Sequence, residues 1–118
     1  MGNYQQLLNY IIEGIQEKKG KEIVNIDLRK LGYAACDNFI ICHGDSGPQL
    51  KALAESVEEK VEDNLAIRVR HREGLGNARW ILLDYGEVVV HIFLKEAREY
   101  YKLEDLWGDA DISIYNEE

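Results

Sequence analysis

The chain has two cysteines, and no apolar run approaches the roughly 18 to 20 residues that span a bilayer. The first shortage excludes a disulfide scaffold, and the second excludes a transmembrane helix. Cys36 and Cys42 sit in a strand-like stretch, not in turn-borne pairs. Neighbouring Cys42 and His43 should point to opposite faces of a strand, so with Asp37 they do not make a four-ligand metal site. A buried thiol in a reduced compartment is the expectation, and no metal is expected. The opening "MGNYQQLLNYIIEGIQEKKG" lacks the basic flank and apolar block of a secretion signal. Gly2 is not read as a myristoylation site, because that motif wants Ser or Thr where Gln6 stands. A cytoplasmic location is expected.

Positive charge is also short, with 14 Lys and Arg against 22 Asp and Glu, a net charge of -8. That balance argues against a protein whose main task is gripping nucleic acid, and it suits a basic partner. Two stretches depart from the average. "RVRHR", from Arg68 to Arg72, forms a basic island with Arg79, whereas Leu103 to Glu118 holds six acids and no base. Their bland alternatives are a solvated strand face and a frayed tail.

Catalytic constellations are missing in turn. "HGDSG" before a helix start could cradle an anion and is like the glycine-serine turn of nucleotidyltransferases. Those enzymes need carboxylates converging on a strand to hold metal, and here no Asp-x-Asp or Asp-x-Glu falls in a predicted strand. Asp84 and Glu87 stand at opposite ends of a turn, and nothing in the spacing pairs Asp27 with Asp45. "GLG" lacks the third glycine of a dinucleotide site. Ser46 is better read as a helix cap than as a nucleophile, and the three histidines share no motif. The chain reads as a non-enzyme without a cofactor.

What is present is a globular pattern. A length of 118 residues with 46% apolar and 31% charged residues fits one domain spanning 1–118. Such a domain buries about two thirds of its unfolded surface. Tyr4, Leu7, Leu8, Ile11, Ile12 and Ile15 make a helical stripe that Gly20 should end. Val24, Ile26 and Leu28 alternate with polar residues in a half-buried strand, and "NFIIC" should be a central strand covered on both faces. Ser46 and Gln49 match a capping box with Pro48 in the first turn, ahead of the stripe Leu50, Leu53, Ala54, Val57 and Val61. Ile67, Val69 and His71 alternate with arginines in a third strand, and "KEAREYYKLEDLW" gives a short helix and a closing segment. The order α-β-β-α-β-β-β-α implies an α+β or α/β fold with a mixed sheet of about five strands, two main helices and a short C-terminal helix. The strands flanking the Ser46 helix should run parallel through a crossover.

"WILLDYGEVVVHIF" reads as a hairpin turning at Tyr85-Gly86, with Asp84 opposite Glu87, Leu82 opposite Val89 and Trp80 opposite His91. Ile81, Leu83, Val88, Val90 and Ile92 then share an ordinary core face. Trp80, Leu82, Asp84, Glu87, Val89, His91 and Phe93 share the other, unless an odd-length turn swaps the two.

"DNFIICHGDSGPQLKALAESVEEKV" is similar to the ribosomal silencing factor (Iojap-like) family, with its Asp-aromatic-apolar strand, Gly-x-Ser turn and Gln-containing helix start. "WILLDYGEVVVHIFLKEAREYYKLEDLWGDAD" resembles the family's second signature at Trp80, Asp84, Gly86, Val90, His91, Arg98, Tyr101, Leu103, Glu104, Leu106 and Trp107. The resemblance runs from about Ile23 to Asp111; the loop around "REGLGN" departs from the usual pattern without touching either signature. It implies a nucleotidyltransferase-like fold without the catalytic carboxylates. It also implies docking on the large ribosomal subunit, through its fourteenth protein, so that the small subunit cannot join and translation is silenced. Organelle members act in large-subunit assembly, and the lack of a transit peptide favours a bacterial cytoplasm. The partner surface is then expected to be Trp80, Leu82, Val89, His91 and Phe93 as an apolar patch, with Asp84, Tyr85 and Glu87 at the turn facing a basic partner. Ribosomal RNA contact is secondary at most, and free copies can pair as a homodimer through the same patch. "YYKLEDLW" folding over the patch would instead make Trp80 core. The competing reading is a nucleotide-binding or nucleotidyl-transferring enzyme of the same fold.

Overall fold

The computed structural model describes residues 2–31, 36–107 and 110–115, without the side chains of Asn3 and Trp107. Helix α1 (Gly2–Glu17) leads into strands β1 (Lys21–Asp27) and β2 (Asn38–Gly44). Helix α2 (Gly47–Leu65) follows, then β3 (His71–Glu73), β4 (Trp80–Asp84), β5 (Val88–Leu94), α3 (Lys95–Tyr101) and β6 (Asp111–Tyr115). The six strands form one sheet in the order β3-β4-β5-β2-β1-β6. Every neighbouring pair is antiparallel except β2 and β5. The chain is therefore an α+β domain with a mixed open sheet.

The helix ends follow from local chemistry. The Ser46 hydroxyl accepts the Gln49 amide at 3.2 Å, and the Gln49 carboxamide accepts the Asp45 amide at 2.8 Å. A cap of this kind contributes about 1 kcal/mol. The same carboxamide donates to the carbonyls of Lys18 and Lys19, which fastens the start of α2 to the end of α1. Ala66 closes α2 in the left-handed region, its N–H on the Glu62 carbonyl. At the end of α1 the left-handed residue is Lys19, not the Gly20 that the sequence marks as the stop.

Both apolar stripes pack where their spacing puts them. Leu7, Leu8, Ile11, Ile12 and Ile15 of α1 meet Leu50, Leu53, Ala54, Val57 and Val61 of α2 over Ile40, Ile81, Leu83, Val90 and Ile92 of the sheet. The helices cross closely at Gly14. A Cβ there would stand 2.8 Å from Val57 Cα, and the Ser56 hydroxyl donates to the Gly14 carbonyl at 2.8 Å. The opposite sheet face carries a smaller cluster of Val24, Ile26, Leu28, Ile41 and Phe93 beneath Ala97 of α3.

Three expectations are corrected. The sheet has six strands and not about five, because "DISIY" in the acid-only stretch adds β6 to β1 in place of a frayed tail. Asp109, Glu117 and Glu118 of that stretch lie outside the described residues. The third strand is only His71–Glu73, since Ile67 and Val69 cap the rim of the main core before pairing begins. It runs in the same direction as β2, with β5 and β4 lying between them.

The hairpin is the third. Asp84 pairs with Val89, Leu82 with His91 and Trp80 with Phe93, so the register differs by two residues from the one expected. The Tyr85 amide bonds the Val88 carbonyl, leaving Gly86 and Glu87 as the loop, with Gly86 at φ +94. A glycine at the first loop position is what a tight hairpin needs. An even shift leaves every side chain on its face. Ile81, Leu83, Val88, Val90 and Ile92 are accordingly buried on the helix side.

Candidate functional site

Strands β4, β5 and β2 place a row of rings on the face away from α1 and α2. His91 is the centre of it. The Trp80 indole N–H donates to His91 Nδ1 at 3.0 Å, and Phe39 meets the imidazole edge-on at 4.6 Å between centroids. Trp80 also lies 4.8 Å from the Phe93 ring and 4.9 Å from Tyr101. With Nδ1 accepting, the neutral ring carries its proton on Nε2, which is buried and has no hydrogen-bond partner. His91 is 4% exposed, and burial pushes its pKa down to about 4. At neutral pH the ring is therefore an uncharged spacer between aromatic neighbours.

The C-terminal segment covers one end of this face. Arg98 of α3, 8% exposed, donates from Nε and Nη2 to Glu104 at 3.1 and 2.7 Å. Its Nη1 lies 3.0 Å from His43 Nδ1 and reaches the Lys21 carbonyl at 3.4 Å. This part-buried pair holds the turn at Leu103–Trp107 against the sheet, with Leu103 packed against the smaller core cluster and Tyr101 against Trp80. Desolvation, then the Arg98 charge, lowers the pKa of His43.

The expected residues thus separate by depth. Leu82, Asp84 and Val89 are half-buried and Glu87 is exposed at the loop. Trp80 is half-buried, since Tyr101 covers part of it without sealing it. Phe93 and His91 are core of this face and not its surface, because α3 and the neighbouring rings close over them. Tyr85 is not a phenol offered at the turn. It points to the helix side, is 4% exposed, and has its hydroxyl pKa raised by burial. Two residues joining the row were not in the expected set. Phe39 pairs in register with Val89, and period-2 alternation along β2 was the available signal. Tyr101 carried only its place in the second signature.

The carboxylates around the face have local occupations. Asp84 Oδ1 accepts the Gly86 amide at 2.7 Å and so locks the loop. Asp27 is gripped by Arg29 and Asp45 by Lys21. Among the described residues no three His, Cys, Asp or Glu side chains come together as a metal site. Two arginines of the basic island are paired with carboxylates of α2, Arg68 with Glu62 and Arg72 with Glu58. Arg70 instead lies over the hairpin loop, where a Cβ on Gly86 would stand 2.9 Å from its Cζ. No described helix is long and apolar enough to cross a membrane.

The arrangement is a shallow apolar face with the carboxylates of Asp84 and Glu87 at its rim. The family "Ribosomal silencing factor during starvation" matches residues 2–118. The chain is 39% identical over 111 residues to "Ribosomal silencing factor RsfS" of Bacillus subtilis, covering 94% of this chain and 92% of that one. It is 38% identical over 72 residues to "Protein Iojap, chloroplastic" of Arabidopsis thaliana, covering 61% of this chain and 29% of that longer one. A crystal structure of a Chromobacterium violaceum protein superposes with a TM-score of 0.83 at 37% identity, covering 95% of this chain and 92% of the other. With the first signature on β2 and α2, the second on the hairpin and the Arg98–Glu104 clamp, and a family match over residues 2–118, this chain belongs to the ribosomal silencing factor family.

Proposed function

We propose that the protein docks on the large ribosomal subunit through the hairpin face and blocks joining of the small subunit by its volume. The supporting observation is the half-open aromatic row. Trp80, Leu82, Val89 and Phe39 present apolar surface held rigid by His91 and Phe93 beneath, while Asp84 and Glu87 supply negative charge at its edge. An apolar centre with a polar rim is the anatomy of a specific protein interface. The net charge of -8 favours a basic partner, and the fourteenth protein of the large subunit is the proposed one. Ribosomal RNA contact falls to Arg70 at the loop, and a role in large-subunit maturation uses the same docking. Free copies pair through this face, which makes self-association compete with the ribosome. The working compartment is the bacterial cytoplasm.

We read the protein as a regulator and not an enzyme, in keeping with relatives named as silencing factors. The test is sedimentation of tagged protein through a sucrose gradient of cell lysate. Co-migration with free large subunits and depletion from assembled ribosomes is expected. Equal occupancy of both sinks the anti-association mechanism.

A further inference from the structure

The two edges of the sheet are built differently. At one end β3 is three residues long, all exposed, with His71 against Glu73 at 2.7 Å and Arg72 reaching Glu58. Short, charged strands of that kind discourage further pairing. At the other end β6 is five residues long, and no described strand pairs with its outer side. Its inner side is firmly seated, in unbroken register with β1 from Ile23 opposite Tyr115 to Asp27 opposite Asp111. Lys30 grips Asp111 at 2.9 Å, and Tyr115 packs against the main core.

The residues between these anchors are unusual for a free edge. Ile112 is 46% exposed and Ile114 78% exposed. They pair with Ile26 and Val24, so they stand on the same face as the smaller core cluster and extend its apolar row to the sheet margin. A backbone edge that no described strand pairs, beside two exposed β-branched residues, is a template for a further strand.

Charge selects the occupant. The segment from Leu103 to Glu118 carries six acids and no base. A second copy would bring another net charge of -8 to a chain that already carries -8. We infer that β6 is a strand-addition edge that takes an extended, basic segment of a partner protein, its alternate apolar residues lying over Ile112 and Ile114. Main-chain bonds to β6 supply affinity, the isoleucines fix register, and the net negative charge of the chain favours lysine and arginine on the other face. This edge is separate from the hairpin face and does not depend on it.

The test needs no ribosome. The full chain is titrated with three synthetic peptides: alternating Lys and Val, alternating Glu and Val, and the Lys-Val peptide with a central proline. Amide shifts and hydrogen exchange of Asp111–Tyr115 are followed. The Lys-Val peptide should shift and protect these amides, and the other two should not. Ile114→Lys replaces the apolar contact beneath a peptide valine with a cation that valine cannot pair, and should weaken binding by about tenfold or more. Ile114 is exposed, so this variant should melt with the parent; Ile114→Thr, which keeps the β-branch, should retain binding. The proposal is overturned if the Glu-Val peptide binds as well, if Ile114→Lys binds unchanged, or if no peptide perturbs these amides. It is equally overturned if they become protected with rising protein concentration alone, which would give the edge to a second copy.

Discussion

Trp80→Ala should lower stability by about 3 kcal/mol without unfolding the protein. Truncating a fully buried tryptophan costs about 3–5 kcal/mol, and Trp80 is half-buried, so roughly 2 kcal/mol follows from packing against Phe93 and Tyr101. Loss of the indole N–H strips His91 Nδ1 of its donor and adds about 1 kcal/mol. A domain of this size should hold about 5–15 kcal/mol in total, so a folded variant remains. Trp80→Phe keeps the ring contacts and loses only the hydrogen bond, and it should fall by about 1 kcal/mol. Urea denaturation followed by circular dichroism reads both. On the folded variant, large-subunit binding should weaken by roughly 30-fold, the 2 kcal/mol or more of an interface anchor. The reasoning is refuted if Trp80→Ala melts with the parent, or if Trp80→Phe falls as far as Trp80→Ala. Full binding by folded Trp80→Ala would remove Trp80 from the interface.

Other outcomes are specific. The folded-state pKa of His91 lies below its unfolded value, so the unfolded chain takes up the proton first as pH falls. Stability is therefore fully present above about 6.5 and is lost progressively towards pH 4, by roughly 3 kcal/mol. His43 shifts in the same direction, so the check is the difference between the parent and His91→Gln melts at pH 7 and pH 4. Glu104→Ala leaves the buried Arg98 guanidinium without its carboxylate and should cost about 3–5 kcal/mol; hydrogen exchange should show the 95–107 segment loosening before the rest. Glu87→Lys, at an exposed loop position, should leave the melt unchanged and weaken large-subunit binding, most visibly at low salt. Asp84 is the poorer probe, because its carboxylate also locks Gly86.

The helices were legible because their signals are local. Ser46, Gln49 and Pro48 announce a helix start within four residues, and the α1 and α2 stripes repeat at helical spacing. The two faces of the hairpin were legible too, since alternation is insensitive to an even register shift. What was not legible depends on partners distant in sequence. β6 reads as polar tail until β1 offers it an edge, because its two isoleucines are separated by a serine and lie in a stretch with six acids and no base. Tyr85 looks like a turn residue until the loop is seen to be Gly86-Glu87, which turns its ring into the core. The depth of the candidate face depends on Arg98 meeting Glu104 and His43, the latter 55 positions away, and no periodicity encodes that contact.

Light scattering from purified subunits tests the central claim most directly. Small and large bacterial subunits are mixed in magnesium buffer with increasing amounts of the protein. Joining should fall as large subunits become occupied, with the folded Trp80→Ala variant needing roughly 30-fold more protein for the same effect. Unchanged joining at saturating occupancy of the large subunit would contradict the account.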